Sequence, residues 1–85
     1  MTAGSGIIHQ EMPRPQDGLM YGFQLWVNLP HEYKMFPPRY RELKSSSIPI
    51  VETTKSRVKV IAGRFRKKIG GVTELYVGID FFDVK

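Results

Sequence analysis

Apolar side chains recur at every second position along most of this chain, and no window holds the 3.6-residue spacing of an amphipathic helix. The pattern predicts an all-β fold. Phe23, Leu25, Val27 and Leu29 share one face of a strand, with Gln24, Trp26 and Asn28 on the other and Pro30 closing the run. Bulk on both faces predicts a central strand, with Phe23 and Trp26 in a core where the indole N–H finds a partner. Shorter strands are expected over residues 39–43 and 48–54, with Pro49 at a strand start or edge and Ser45-Ser46-Ser47 as the turn between them. The cleanest alternation starts at Ser56: Val58, Val60 and Ala62 face one way and Arg57, Lys59 and Ile61 the other, until Gly63 interrupts. A last run over residues 72–82 follows a turn or hinge at Gly70-Gly71, and its adjacent Phe81 and Phe82 must point to opposite faces. Residues 31–38, with two adjacent prolines, read as a loop containing one helical turn.

A β chain of 85 residues is at most one small domain. Chains of this size bury only about 60–65% of their unfolded surface and commonly lean on disulfides, metals or partners. Cysteine is absent, which excludes disulfides and thiolate metal sites, while 41% hydrophobic and 25% charged residues argue against disorder. The first six residues carry neither the basic nor the apolar region of a secretory signal. Residues 18–30 are the most apolar stretch, but they include Gln24 and Asn28 and fall short of the roughly 20 apolar residues of a membrane span. A soluble, cytoplasmic protein without a membrane partner is expected. The net charge of +5 permits anionic partners without identifying one.

Two groups of residues could carry chemistry. His9 and Glu11 lie two apart on a segment that Pro13 keeps extended, so their side chains project from one face. Such a pair is either a metal clamp or a surface histidine beside a carboxylate. Gly4 and Gly6 allow a sharp approach into the segment. The second group is Lys55, Arg57, Lys59, Arg64, Arg66, Lys67 and Lys68, seven cations within fourteen residues that hold no acid. This stripe either contacts phosphates of nucleic acid, or an acidic protein, or is simply the solvated face of an edge strand followed by a solvated loop.

Residues 1–13, Met-Thr-Ala-Gly-Ser-Gly-Ile-Ile-His-Gln-Glu-Met-Pro, and residues 22–30, Gly-Phe-Gln-Leu-Trp-Val-Asn-Leu-Pro, resemble the two most distinctive stretches of the pirin family. Lys34-Met35, Pro37-Pro38, Arg39-Tyr40 and Val58-Lys59-Val60-Ile61-Ala62-Gly63 continue the resemblance in order. Pirins are two-domain β proteins of the cupin superfamily whose amino-terminal barrel holds a non-haem iron through three His and one Glu. The resemblance implies that His9 and Glu11 correspond to two of those ligands. Nothing here matches the H-x-H-R-G-type motif that carries the other two, and His31 occupies a loop position that is not a ligand in the family.

The fold implied is therefore a partial cupin-like sheet of the double-stranded β-helix or jelly-roll type. Residues 1–69 would be the later part of the amino-terminal domain, and residues 70–85 a hinge and a trailing strand. A half barrel leaves open edges, so a homodimer or higher oligomer is expected, with strand exchange through Gly70-Gly71. The function implied is that of a truncated paralogue or fragment with an incomplete metal site, weak binding of Fe2+ or another divalent ion, and no robust activity. One alternative is an iron-dependent quercetin 2,3-dioxygenase-like oxygenase with its site completed across chains. Another is a non-catalytic module that binds nucleic acid or an acidic protein through residues 55–68.

Overall fold

A computed structural model describes residues 1–15 and 17–85. The chain divides into two compact units, Met1–Tyr40 and Arg41–Lys85. The described residues are all-β apart from two single turns of 3-10 helix, and their small antiparallel sheets are consistent with a partial cupin-like fold. No helix among the described residues is long and apolar enough to cross a membrane.

The second unit is built around the segment with the cleanest alternation. Strands β1 (Ile50–Glu52), β2 (Arg57–Ala62) and β5 (Phe81–Val84) form an antiparallel sheet in the order β1-β2-β5. Val58, Val60 and Ala62 are buried from the inward face of β2, and Val60 is fully enclosed. On the outward face each cation meets the acid directly opposite it in register. Arg57 Nε lies 3.1 Å from Glu52 Oε1, and Lys59 Nζ lies 3.4 Å from Asp83 Oδ2. Opposite charges facing one another across a ladder support the register as well as the surface. Thr53 closes the β1–β2 turn: its hydroxyl accepts the backbone N–H of Ser56 at 2.8 Å.

At the end of β2 the register with β5 slips between Val60 and Ala62, a β-bulge that bends the strand. Beyond Gly63, β3 (Arg64–Phe65) and β4 (Lys68–Ile69) pair as a short hairpin. The chain then returns along β2. Gly70 N–H donates to Gly63 O at 2.8 Å, Gly71 N–H to Val60 O at 3.2 Å and Val72 N–H to Ile61 O at 2.8 Å. Gly70 is buried, and a Cβ there would stand 2.5 Å from Ala62 Cα. Only glycine lets this backbone lie so close to the central strand.

Several expectations are corrected here. Arg57 and Lys59 lie on the central strand, not on an edge, because β1 and β5 flank β2 on its two sides. The strand expected over 72–82 shrinks to β5, preceded by an isolated bridge between Val72 and Ala62. Glu74 adopts a left-handed φ of 55°, which breaks extension, and its carboxylate pairs with Arg41. Phe81 and Phe82 do face opposite ways: Phe81 is 37% exposed, whereas Phe82 packs edge-on against Phe65 with centroids 5.5 Å apart.

The first unit is held by backbone bonds between its two ends. Thr2 and Arg39 exchange both N–H···O bonds, at 2.7 and 2.9 Å, and Ser5 N–H donates to Phe36 O at 2.9 Å. The one helical turn expected in the proline-containing loop forms at His31–Tyr33. The strand expected over 39–43 is reduced to the bridge at Arg39. Residues 23–29 form no strand, and Phe23 and Trp26, expected in a core, are 90% and 83% exposed. Alternation specifies the two faces of an extended segment, but a strand also needs a ladder partner, and none of the described residues provides one. No described residue of this unit is fully buried.

Candidate metal centre

Gly4 sets up the approach to His9. Its φ of 53° lies in the left-handed region, and a Cβ at this position would collide with the carbonyl oxygen of Phe36. Gly6 N–H then donates to Ala3 O at 2.9 Å, closing a turn that releases the chain into the extended segment carrying His9 and Glu11. Two residues apart, the two side chains converge as the spacing requires: His9 Nε2 lies 3.7 Å from Glu11 Oε1. Gln10, between them, turns its amide to Met12 Sδ at 3.3 Å.

Both side chains line a cavity of about 770 Å³ within the first unit, whose wall also includes Gln24, Trp26, Asn28 and Lys34. Glu11 is not free in this cavity. Gln24 Nε2 stands 3.1 Å from each of its two carboxylate oxygens. Lys34 Nζ donates to Asn28 Oδ1 at 2.7 Å, so the cation on this wall is held by a neutral acceptor rather than by Glu11.

The donor set can be tested against a divalent metal. Two bonds of about 2.1 Å opened to a tetrahedral angle separate their donors by about 3.4 Å, so His9 and Glu11 need only a small side-chain rotation to share one ion. The chemistry is suitable, one imidazole nitrogen and one carboxylate oxygen. The number is not: among the described residues no group of three or more His, Cys, Asp or Glu gathers at one place. His31, at the start of the helical turn, does not join the pair. The side chains of His9 and Glu11 are 33% and 58% exposed, leaving water free to fill remaining positions.

Gln24 is the residue that sequence reading missed. A signal existed: Gln24 and Asn28 are polar positions within an otherwise apolar run, and each now meets a partner on the cavity wall.

The basic stripe does not stay together. Arg57 and Lys59 are engaged by Glu52 and Asp83. Lys55 sits in the β1–β2 turn, at the opposite end of β2 from the hairpin. Arg64, Arg66, Lys67 and Lys68 instead crowd onto the β3–β4 hairpin, which replaces the expected loop. At its tip Arg66 takes a left-handed φ of 51° and places its guanidinium 5.8 Å from the centroid of the Phe65 ring.

Comparison with known proteins follows the same segment. A family model described as Pirin matches residues 1–27. The chain is 43% identical, over its whole length, to a Pseudomonas aeruginosa protein provisionally named a quercetin 2,3-dioxygenase, of which it covers 32%. It is 52% identical to a pirin-like protein of Caulobacter vibrioides over 74% of the chain and 23% of the relative. Pirin-1 of Arabidopsis thaliana is likewise 52% identical over 74% of the chain and 21% of its own length. The chain thus spans about a third or less of these relatives. No solved structure gives a significant match.

Proposed function

From the premise that this is a pirin-family sequence, we propose that residues 1–40 supply one half of a divalent-metal site, with His9 and Glu11 as its two protein ligands. The observation that carries the reading is the 3.7 Å approach of His9 Nε2 to Glu11 Oε1 at the wall of a cavity. Iron is the ion that the resemblance to pirins implies; a metal bound there would supply the dioxygen chemistry that no side chain of this cavity provides. His9 offers an imidazole nitrogen, Glu11 a carboxylate oxygen, and the exposed apolar wall formed by Leu25 and Trp26 offers a surface for a flat aromatic substrate.

Two donors hold an ion weakly. Stable binding and turnover therefore require ligands from outside residues 1–85, either further segments of a longer protein or a second copy of this chain in a two-fold dimer. By themselves these residues bind a divalent ion reversibly and oxidise no flavonol at a useful rate. Titration with Mn2+, followed by loss of its free-ion resonance signal, tests this. Weak saturable binding abolished by His9→Ala supports the reading, whereas binding unaffected by that substitution overturns it.

A second reading rests on the hairpin. Four cations fall within Arg64–Lys68 and one of them, Arg66, lies 5.8 Å from the centroid of the Phe65 ring, a density of charge suited to loose contact with phosphates of nucleic acid.

A further inference from the structure

Glu11 receives a hydrogen-bond donor that is thirteen residues away in sequence, and the geometry of that contact is unusual in its symmetry. Gln24 Nε2 lies 3.1 Å from Oε1 and 3.1 Å from Oε2. One amide nitrogen equidistant from both oxygens straddles the open edge of the carboxylate, the edge that a cation would occupy if it took both oxygens at once. We propose that Gln24 is a positioning residue for Glu11: it fixes the plane of the carboxylate and leaves Oε1, the oxygen facing His9, as the one offered to a metal. The inference rests on the metal reading above and deepens it.

The choice of an amide is chemically specific. A carboxylate exposed to 58% would otherwise rotate freely about its terminal bond and spend only part of its time aimed at His9. A lysine or arginine could hold it as well, but would place a positive charge where a cation must bind. A neutral donor restrains the ligand without repelling the ion. The same cavity places its own cation, Lys34, on the neutral Asn28. Hydrogen-bond partners of metal ligands act in this way, and their removal typically weakens metal affinity by about 10–100-fold. With one donor and an exposed site, the lower end, about tenfold, is expected for Gln24→Met, which keeps the length of the side chain and removes the N–H.

The test uses the 85-residue chain, Gln24→Met, Glu11→Ala and the double variant, with Mn2+ as the probe. Gln24→Met is expected to weaken binding about tenfold in the parent chain and less than about twofold once Glu11 is already Ala, because Gln24 acts through that carboxylate. An equal loss in both backgrounds, or none in either, overturns the proposal. A second measurement needs no metal. The side-chain amide resonances of Gln24 are expected to shift clearly on Glu11→Ala, and amide resonances that stay in place overturn the proposal. Failure of the parent chain to bind Mn2+ would refute the metal reading alone, and the amide resonances then decide the Gln24 restraint.

Discussion

Replacing Gly70 by Ala should undo the seating of the hairpin on the central strand. Gly70 is buried, and the added Cβ would stand 2.5 Å from Ala62 Cα and 2.8 Å from both Ala62 C and Ala62 N. These are backbone atoms of a strand locked on both sides, by β5 and by the returning Val72, so they cannot swing aside as a side chain would. Overpacking of this kind costs about 1–3 kcal/mol, and the upper end applies because no rotamer relieves it. With a urea m-value of about 1 kcal/mol per molar for so small a chain, the unfolding midpoint should fall by about 2–3 M. Gly78→Ala is the control: nothing lies within 4 Å of its Cβ, and the change should be neutral or stabilising by up to about 1 kcal/mol. Trp26 lies in the first unit, so its fluorescence is the wrong probe. Amide exchange at Val60, whose N–H donates to Pro49 O at 2.8 Å, reports on the second unit directly. A Gly70→Ala chain within about 0.5 kcal/mol of the parent would refute the close approach.

Lys59→Ala and Asp83→Ala should show a coupling of about 0.2–1 kcal/mol in a double-mutant cycle, shrinking as salt is raised, because the pair is partly exposed and directly opposed in register. Additive effects at low salt would contradict that pairing. If the hairpin binds duplex DNA, converting Arg64, Arg66, Lys67 and Lys68 to Gln should flatten the salt dependence of binding by about 0.9 log units per log unit of salt for each phosphate no longer neutralised. Arg57→Gln should leave the slope unchanged, since that cation is already held by Glu52.

Where sequence and structure agree, the face of a segment was set locally. Val58, Val60 and Ala62 sit in a run whose clean alternation alone identified the core, with β1 its neighbour in both sequence and space, whereas β5, which closes the other side, comes from the far end of the chain. The convergence of the His9 and Glu11 side chains was legible for a similar reason, since two residues of extended chain determine a common face. The run from Phe23 to Leu29 has the same alternation, yet its partner is not set by anything nearby, and Phe23 and Trp26 remain exposed. The division of the basic stripe was illegible because it depends on register: Glu52 and Asp83 reach Arg57 and Lys59 only through strand pairing. Gln24 escaped notice because its contact with Glu11 joins two stretches thirteen residues apart, and local spacing does not show which side chains meet across them.

The central claim is that one specific histidine of the chain's two is a metal ligand. Nitrogen-detected resonances of the two imidazole rings during titration with Zn2+, a diamagnetic stand-in for the native ion, test it most directly. The account predicts a selective, saturable shift at His9 Nε2, accompanied by a shift of the Glu11 carboxyl carbon, with His31 unmoved. Equal perturbation of His9 and His31, or no perturbation of His9, would contradict it.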